Sequence, residues 1–358
     1  ARMLNLKGKN ITGSDSSQSE ITEDLENLGI KVYVGHYAEN IKEETEVVIY
    51  TVAVKDDNPE LLEAKKRGLI ILSYPEALGE LSREMYTIAV SGTHGKTTTT
   101  AMIGHILIRT NLDPTIVVGS KLISDGEKNT NFIAGKSKYL VAEACEYKRS
   151  FLNLSPMILV ITNIEEDHLD YYKDLSDIQS AFREIALKVP VQGFIITDTS
   201  HKNIKPILEG VQAKVLDYKE INIDKEIGVP GEHNILNAKV AIVAAKILGI
   251  EEDKAIDALS DFKGTWRRLE YKGENSGYIF FDDYAHHPTE IKASLSALKQ
   301  KYPDRNIVCV FEAHQQDRTR KFFNEFVEAL KTADYTFIAP IFVTREIDDG
   351  VTTNKKLS

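Results

Sequence analysis

An apolar stretch, Tyr86 to Val90, runs directly into Ser91-Gly92-Thr93-His94-Gly95-Lys96-Thr97-Thr98, and a helical pattern follows to about Arg109. A strand, a glycine-containing turn and a helix opening on Lys-Thr is the setting of a phosphate cradle. Glycines let backbone N–H groups wrap an anion, the helix N-terminus adds positive potential, and the lysine reaches the outer phosphates. Either Thr97 or Thr98 can offer a hydroxyl to a hard divalent ion such as Mg²⁺. The glycine that usually stands five residues before Gly95 is replaced by Val90. A plain glycine turn capping a helix is the alternative, and the Lys-Thr pair argues against it.

A strand that feeds such a loop requires a parallel sheet around it, and the rest of the chain reads that way. Strand signals at Ile30 to Val34, Val47 to Val54 and Leu69 to Leu72 alternate with helical ones at Ile21 to Leu28 and Asn58 to Arg67. Ser17-Gln18-Ser19-Glu20 has the form of a capping box, Asn10 to Gly13 reads as a short strand, and Ala1 to Leu6 as the end of a helix. Further strands are expected at Thr115 to Val118, Tyr139 to Glu143, Ile158 to Thr162 and Phe194 to Thr197, and again at Tyr278 to Asp282, Asn306 to Phe311 and Tyr335 to Ala339. The fold class is α/β. At 358 residues one core is not enough. Three domains are expected, at 1–84, 85–265 and 266–358, with Thr265 to Arg268 as the second boundary.

The formal net charge of -10 leaves no basic excess to displace counterions, which disfavours a nucleic-acid partner. Two distant cysteines, Cys145 and Cys309, have no metal-type spacing. No apolar run is long enough for membrane insertion, and a cytoplasmic location is expected.

Other polar clusters fall where strands end, which is where ligands sit in an open parallel sheet. Glu143, followed by Glu146, is placed to hold Mg²⁺. Thr162 to Asp170 crowds seven polar or ionisable groups into nine residues and contains His168; an acidic helix start capped by Asp167 is the bland reading. Asn234 and Asn237 lie one turn apart, and two amides on one face suit the edge of a purine, although Asn234 could simply be an N-cap. Asp282-Asp283-Tyr284-Ala285-His286-His287-Pro288 closes a strand, and His314 with Arg318 repeats the placement one strand later. Arg267 and Arg268 mark the boundary between them.

In order, the chain carries Gly-Thr-His-Gly-Lys-Thr-Thr, Glu-Ala-x-Glu, Thr-Asn-Ile-Glu-x-Asp-His, Gly-x-His-Asn-x-x-Asn-Ala and Asp-Asp-Tyr-x-His-His-Pro-Thr-Glu-Ile. This set resembles the Mur ligase family, ATP-dependent amide ligases of peptidoglycan precursor synthesis, over essentially the whole chain. His94 and the run Asp282 to Ile291 resemble the branch that joins L-alanine to UDP-N-acetylmuramate.

The resemblance implies a Rossmann-like N-terminal domain for the UDP-sugar with its first strand and glycine-rich loop missing, a central P-loop ATPase with a mostly parallel sheet, and an incomplete C-terminal Rossmann-like domain for the amino acid. It implies ATP and Mg²⁺ as cofactors, small-molecule substrates only, and a monomer or homodimer. It places Gly92, Thr93, His94, Gly95, Lys96, Thr97 and Thr98 on the phosphates, and Thr97, Glu143 and His168 on magnesium. Asn234 and Asn237 would face adenine, and Arg267 and Asp282 would reach ATP from the third domain. Ser14 and Asp15 would meet the UDP-sugar. His287, His314 and Arg318 would lie near the amine or the transferred phosphate, so that Lys96, His168, His287, His314 and Arg318 form the catalytic set. The resemblance does not fix the position of a lysine that several relatives modify; Lys188 is near that region.

The chain departs from the family pattern at Cys145 and Tyr147, where aspartate and serine are usual, at Ala285 for glycine, and at Ala313-His314-Gln315 for proline-histidine-arginine. Two alternatives follow: a muropeptide-recycling ligase that takes a preformed tripeptide, and a truncated, non-catalytic nucleotide-binding protein.

Overall fold

A computed structural model describes residues 1–51, 53–123 and 129–342. The third expected domain therefore includes a stretch, 343–358, outside the described residues. The first unit contains α1 (Arg2–Leu6), β1 (Thr12–Asp15), α2 (Glu20–Asn27), β2 (Lys31–Val34), β3 (Val47–Tyr50), α3 (Pro59–Lys66), β4 (Ile70–Ser73) and α4 (Tyr74–Glu84). Its strands pair in twos, β1 with β2 and β3 with β4, both parallel, with no ladder between the pairs among the described residues. The capping box that opens α2 is formed by Ser19 and Thr22, two residues later than the pattern suggested, because Thr22 both donates its N–H to Ser19 Oγ and accepts the Ser19 N–H.

The second unit holds β5 (Tyr86–Ser91), α5 (Lys96–Arg109), β6 (Thr115–Leu122), β7 (Thr130–Ile133), β8 (Tyr139–Glu143), β9 (Ile158–Ile161), α6 (Leu175–Lys188), β10 (Phe194–Thr197), β11 (Lys214–Asp217), α7 (Glu232–Ile247) and α8 (Glu252–Leu259). Seven strands form one sheet in the order β11-β10-β9-β5-β8-β6-β7, all parallel except β7 against β6. The middle strands β5, β8 and β9 read as unbroken apolar runs because helices cover both faces. One face packs Met102, Ile106, Val240 and Ala241 from α5 and α7; the other packs Phe151, Phe182 and Ile185 around α6. β5 has β8 on one side and β9 on the other, so the strand order reverses at β5. Its carboxyl end is the topological switch point where such sheets bind ligands.

The third unit contains β12 (Glu270–Asn275), β13 (Tyr278–Asp282), α9 (Pro288–Lys301), β14 (Val308–His314), α10 (Gln316–Lys321), α11 (Phe323–Leu330) and β15 (Tyr335–Phe342). β12 and β13 make an antiparallel hairpin turned at Ser276-Gly277, both with positive φ, and β14 pairs in parallel with β15. α10 and α11 meet at Phe322, which ends the first and caps the second. Among the described residues no helix is long and apolar enough to cross a membrane.

The units touch through specific bonds. Arg2 donates to Thr130 Oγ1 (2.9 Å) and Lys121 pairs with Glu20 (3.2 Å), tying the first unit to the second. Arg318 reaches Asp167 (2.8 Å) and Lys321 reaches Glu166 (3.1 Å), tying the third to the second.

Candidate active site

The loop Gly92–Gly95 leaves β5 and enters α5 with Gly95 as its N-cap at φ 82°. Gly92 has φ 134°, and a Cβ there would lie 2.0 Å from Thr162 Oγ1. Only glycine fits such a position. A Cβ on Gly95 would meet Asn237 Oδ1 at 2.6 Å. The loop is braced from below by the segment after β9. Thr93 N–H donates to Asn163 O (3.0 Å) and His94 N–H to Asn163 Oδ1 (2.9 Å). The Thr162 hydroxyl donates to His94 O (2.6 Å), and Glu165 N–H to Thr93 Oγ1 (2.8 Å). Thus Thr162, Asn163 and Glu165 build the loop, a role that sequence reasoning missed. The bland alternative, a helix start capped by Asp167, is not what forms: His168 turns to φ 53°, and α6 starts only at Leu175 behind the cap Asp174.

Lys96 Nζ folds over the loop, donating to Gly92 O (2.6 Å) and Thr93 O (3.0 Å), and stands 3.0 Å from Glu146 Oε1. Burial works against its charge, but the Glu146 carboxylate outweighs it and holds the ammonium proton above the ordinary lysine range. Glu146 is itself buried, which alone would raise its pKa; Lys96 and His168 bring it below the usual value. Glu146 Oε2 is buried without a hydrogen-bond partner among the described residues. Glu143, at the end of β8, accepts from the Thr97 hydroxyl (3.0 Å) and from Gly119 N–H (2.8 Å). His168 Nε2 lies 3.5 Å from Glu146 Oε1, and its ring packs 4.9 Å from Tyr147.

The third unit supplies the opposite wall. Arg318 holds Asp167 at 2.8 Å; burial would raise the Asp167 pKa, but the guanidinium takes its carboxyl well below the usual range. His94 lies between Glu290 (Nδ1 to Oε1, 3.0 Å) and Glu165 (Nε2 to Oε2, 3.5 Å). Burial disfavours its charge, yet the two carboxylates raise it to about 9. The ring of His287 lies 4.8 Å from that of His94, and burial together with the His94 charge lowers it to about 4. Glu165 is lowered to about 2, first by the His94 ring 3.5 Å from its carboxylate.

A cavity of about 930 Å³ opens between these walls. Of the residues singled out from the sequence, Thr93, His94, Gly95, Lys96, Thr97, Thr98, Glu143, His168, Asn234, Asn237, His314 and Arg318 line it. Asn234 is not an N-cap: α7 begins at Glu232 behind Gly231, and Asn234 donates to Pro230 O (2.7 Å). Asn237 accepts from the Thr99 hydroxyl (3.2 Å) and donates to Asn234 Oδ1 (3.4 Å), which locks α7 to α5 beside the loop. Arg267, at φ 54°, pairs with Asp282 through Nε (3.2 Å to Oδ2), and neither is among the lining residues; the neighbouring Arg268 is. Gly92 and His287 sit behind the wall. Ser14 and Asp15 lie in the first unit, where Ser14 Oγ donates to Glu60 (2.6 Å). Lys188, at the end of α6, donates to Leu152 O (2.5 Å) and does not line the cavity. The residues sequence reasoning passed over are Glu290, Glu165 and Asp167 as charge partners; Glu290 was visible as the carboxylate that follows His287-Pro288 in a helix's first turn.

Three sequence models cover the chain in succession: the one described as Mur ligase family, catalytic domain, matches residues 1–86, the Mur ligase middle domain 90–205, and the Mur ligase, glutamate ligase domain 267–353. The UDP-N-acetylmuramate–L-alanine ligases of Clostridium kluyveri and Clostridium tetani are each 42% identical over 385 aligned positions, spanning 100% of this chain and 83% of theirs. Among solved structures, the UDP-N-acetylmuramate-alanine ligase MurC of Thermotoga maritima matches with a TM-score of 0.78 at 29% identity, covering 96% of this chain and 82% of that one. The murein peptide ligase of Psychrobacter arcticus matches at 0.71 and 25% identity, over 94% and 80%. By full-length identity and by its three consecutive domain matches, the chain belongs to the Mur ligase family.

Proposed function

We propose that this chain is an ATP-dependent ligase that joins L-alanine to the carboxylate of UDP-N-acetylmuramate through an acyl phosphate, in peptidoglycan precursor synthesis. The observation that carries the reading is convergence: Lys96 and Thr97 of the loop, Glu143 and His168 of neighbouring strand ends, and His314 and Arg318 of the third unit all line one cavity. In this reading 1–84 binds the UDP-sugar through Ser14 and Asp15, 85–265 binds ATP, and 266–358 brings the amine.

The residues present fit a triphosphate and a magnesium ion. Gly92 and Gly95 hold backbone that a side chain would block; the Thr93 and His94 amides are taken by Asn163, so the amides that would face phosphate oxygens are those opening α5. The Thr97 hydroxyl and the Glu143 carboxylate, already 3.0 Å apart, are the oxygen donors that Mg²⁺ prefers, and His168, 3.5 Å from Glu146, lines the same cavity. Bound there, the ion would neutralise charge on the transferring phosphoryl group.

Lys96 exchanges loop carbonyls for the outer phosphates, and Asn234 with Asn237 forms the wall for adenine. Arg268, which lines the cavity, is the arginine placed to reach ATP from the third unit, and Arg267 and Asp282 would have to leave their mutual ion pair to do so. The acid's carboxylate attacks the terminal phosphorus and ADP departs; the amine then attacks the acyl carbon, phosphate leaves, and the amine's proton passes to a neighbouring base. Positive charge from Lys96 and Arg318 stabilises what develops on oxygen in both steps. His287 lies behind the cavity wall against His94 and Phe322, where burial together with the His94 charge keeps its ring neutral.

Phosphate release from ATP, measured with UDP-N-acetylmuramate and either L-alanine or a preformed tripeptide, tests the reading. Release that depends on alanine supports it. Release with tripeptide alone identifies the recycling reaction, and release with neither identifies a non-catalytic nucleotide binder.

A further inference from the structure

Glu290 stands in the first turn of α9 and reaches across the unit boundary to the phosphate loop. Its Oε1 lies 3.0 Å from His94 Nδ1, and Arg268 Nη1 is 3.7 Å from the same oxygen. Its Oε2 accepts the His286 N–H at 3.1 Å. The other nitrogen of His94 faces Glu165 of the central unit at 3.5 Å. One imidazole therefore lies between a carboxylate of the second unit and one of the third.

The backbone of the same residue is fixed on both sides. His94 N–H donates to Asn163 Oδ1 (2.9 Å), and His94 O accepts from Thr162 Oγ1 (2.6 Å) and Asn163 Nδ2 (3.1 Å). That carbonyl belongs to the peptide leading into Gly95 and Lys96. A pull on the ring from α9 is thus felt at the peptide that sets the direction of Lys96. The third unit also lays the His287 ring against His94, backed by Phe322 at 4.9 Å, so the contact is closed to water on that side.

We propose that His94 and Glu290 form the coupling pair through which seating of the third unit sets the phosphate loop for chemistry. This rests on the ligase reading above and deepens it: activation of the acid occurs at the loop, the amine arrives with the third unit, and the pair joins the two. His94 is a positioning residue here. A pair that only glued an interface would lower stability and leave the kinetic constants of folded enzyme alone; a coupling pair splits them.

The two ring nitrogens can be separated. His94→Asn keeps a donor near the Nδ1 position, toward Glu290; His94→Gln reaches toward the Nε2 position, toward Glu165, and loses the Glu290 bond. kcat and the KM of each substrate are measured for both variants, for Glu290→Gln and for the His94→Gln/Glu290→Gln double variant, with unfolding midpoints confirming folded enzyme. The expected result is a kcat loss of about tenfold and a raised amine KM in His94→Gln and Glu290→Gln, with the ATP KM of Glu290→Gln within about twofold and a smaller kcat loss in His94→Asn than in His94→Gln. The double variant is no worse than the worse single. Losses that multiply in the double variant, or unchanged kcat in both singles, overturn the proposal. Small-angle scattering with UDP-N-acetylmuramate and a non-hydrolysable ATP analogue decides the pair even if no acid–amine combination gives turnover, which would instead sink the ligase reading. Compaction in the wild type that Glu290→Gln lacks supports the pair, and equal compaction, or none in either protein, overturns it.

Discussion

The ammonium of Lys96 stands 3.0 Å from the Glu146 carboxylate, and both side chains are almost wholly out of water, at 14% and 3% exposed. Such a pair gives little net stability when intact, yet removing one partner leaves a buried charge that costs about 3–5 kcal/mol. Lys96→Ala is therefore expected to lose turnover and also to lower the denaturant midpoint. Glu146→Gln in the same chain removes the stranded carboxylate and restores part of the stability without restoring phosphate release. Chemical denaturation beside the phosphate assay checks both. A Lys96→Ala enzyme that still turns over would contradict the placement of the triphosphate on this loop.

Thr97 and Glu143 meet across the ends of α5 and β8, 3.0 Å apart, and Gly119 N–H orients the same carboxylate oxygen at 2.8 Å. If they share a magnesium ion, Glu143→Gln should raise the Mg²⁺ concentration giving half-maximal turnover by about tenfold or more, while leaving metal-free nucleotide binding close to wild type. A magnesium titration of phosphate release reads the first, and calorimetry with ADP in a chelator reads the second. An unchanged magnesium requirement would place the ion elsewhere.

Which parts of this site could be read before the structure depends on how local each is. Gly92 to Thr98 declares itself because loop, lysine and helix start are consecutive. The apolar runs of β5, β8 and β9 declare themselves because burial on both faces leaves no polar position. The Lys96–Glu146 pair does not, since it depends on β8 lying beside β5 in the sheet, and chain order alone gives no such adjacency. Asn163 and Glu165 were visible as a polar cluster, but their work bracing the loop follows from the neighbouring position of β9. β7 and β11 escaped notice: each is a four-residue edge strand, half exposed, with little periodicity to detect. The left-handed turn at His168 and the bond from Arg318, in another unit, to the neighbouring Asp167 are tertiary features that no local pattern announces.

Gly92 tests the cradle by conformation alone. At φ 134°, a methyl group on its Cα would stand 2.0 Å from Thr162 Oγ1 and 3.0 Å from both Thr162 N and Asn163 O, so alanine would meet backbone on two sides. Gly92→Ala is expected to cost about 1–3 kcal/mol from strain and to displace the loop, weakening nucleotide binding severalfold even in folded enzyme. Gly13→Ala, where a Cβ meets nothing within 4 Å and φ is ordinary, is the control for ATP binding. Equal nucleotide affinity in Gly92→Ala and wild type would mean that the loop does not hold the phosphates.

The ion pairs around His94 make stability depend on pH in the alkaline direction. Its pKa rises from 6.5 in an ordinary setting to about 9 between Glu165 and Glu290. A group whose folded-state pKa is raised stabilises the fold fully below its unfolded value, and that contribution is lost as pH climbs through the folded value. The window is therefore pH 6.5 to 9, and the contribution is up to about 3 kcal/mol. The depressed carboxylates act at the other end: Glu165, at about 2 against an ordinary 4.5, stabilises above pH 4.5 and loses that contribution as pH falls toward 2. Denaturant midpoints measured from about pH 6 to about pH 9.5 should decline across the window in wild type and stay flatter in His94→Gln, which carries no titrating ring. Parallel slopes in the two proteins would show that His94 is not charged in the folded state and that Glu165 and Glu290 draw their stabilisation from other partners.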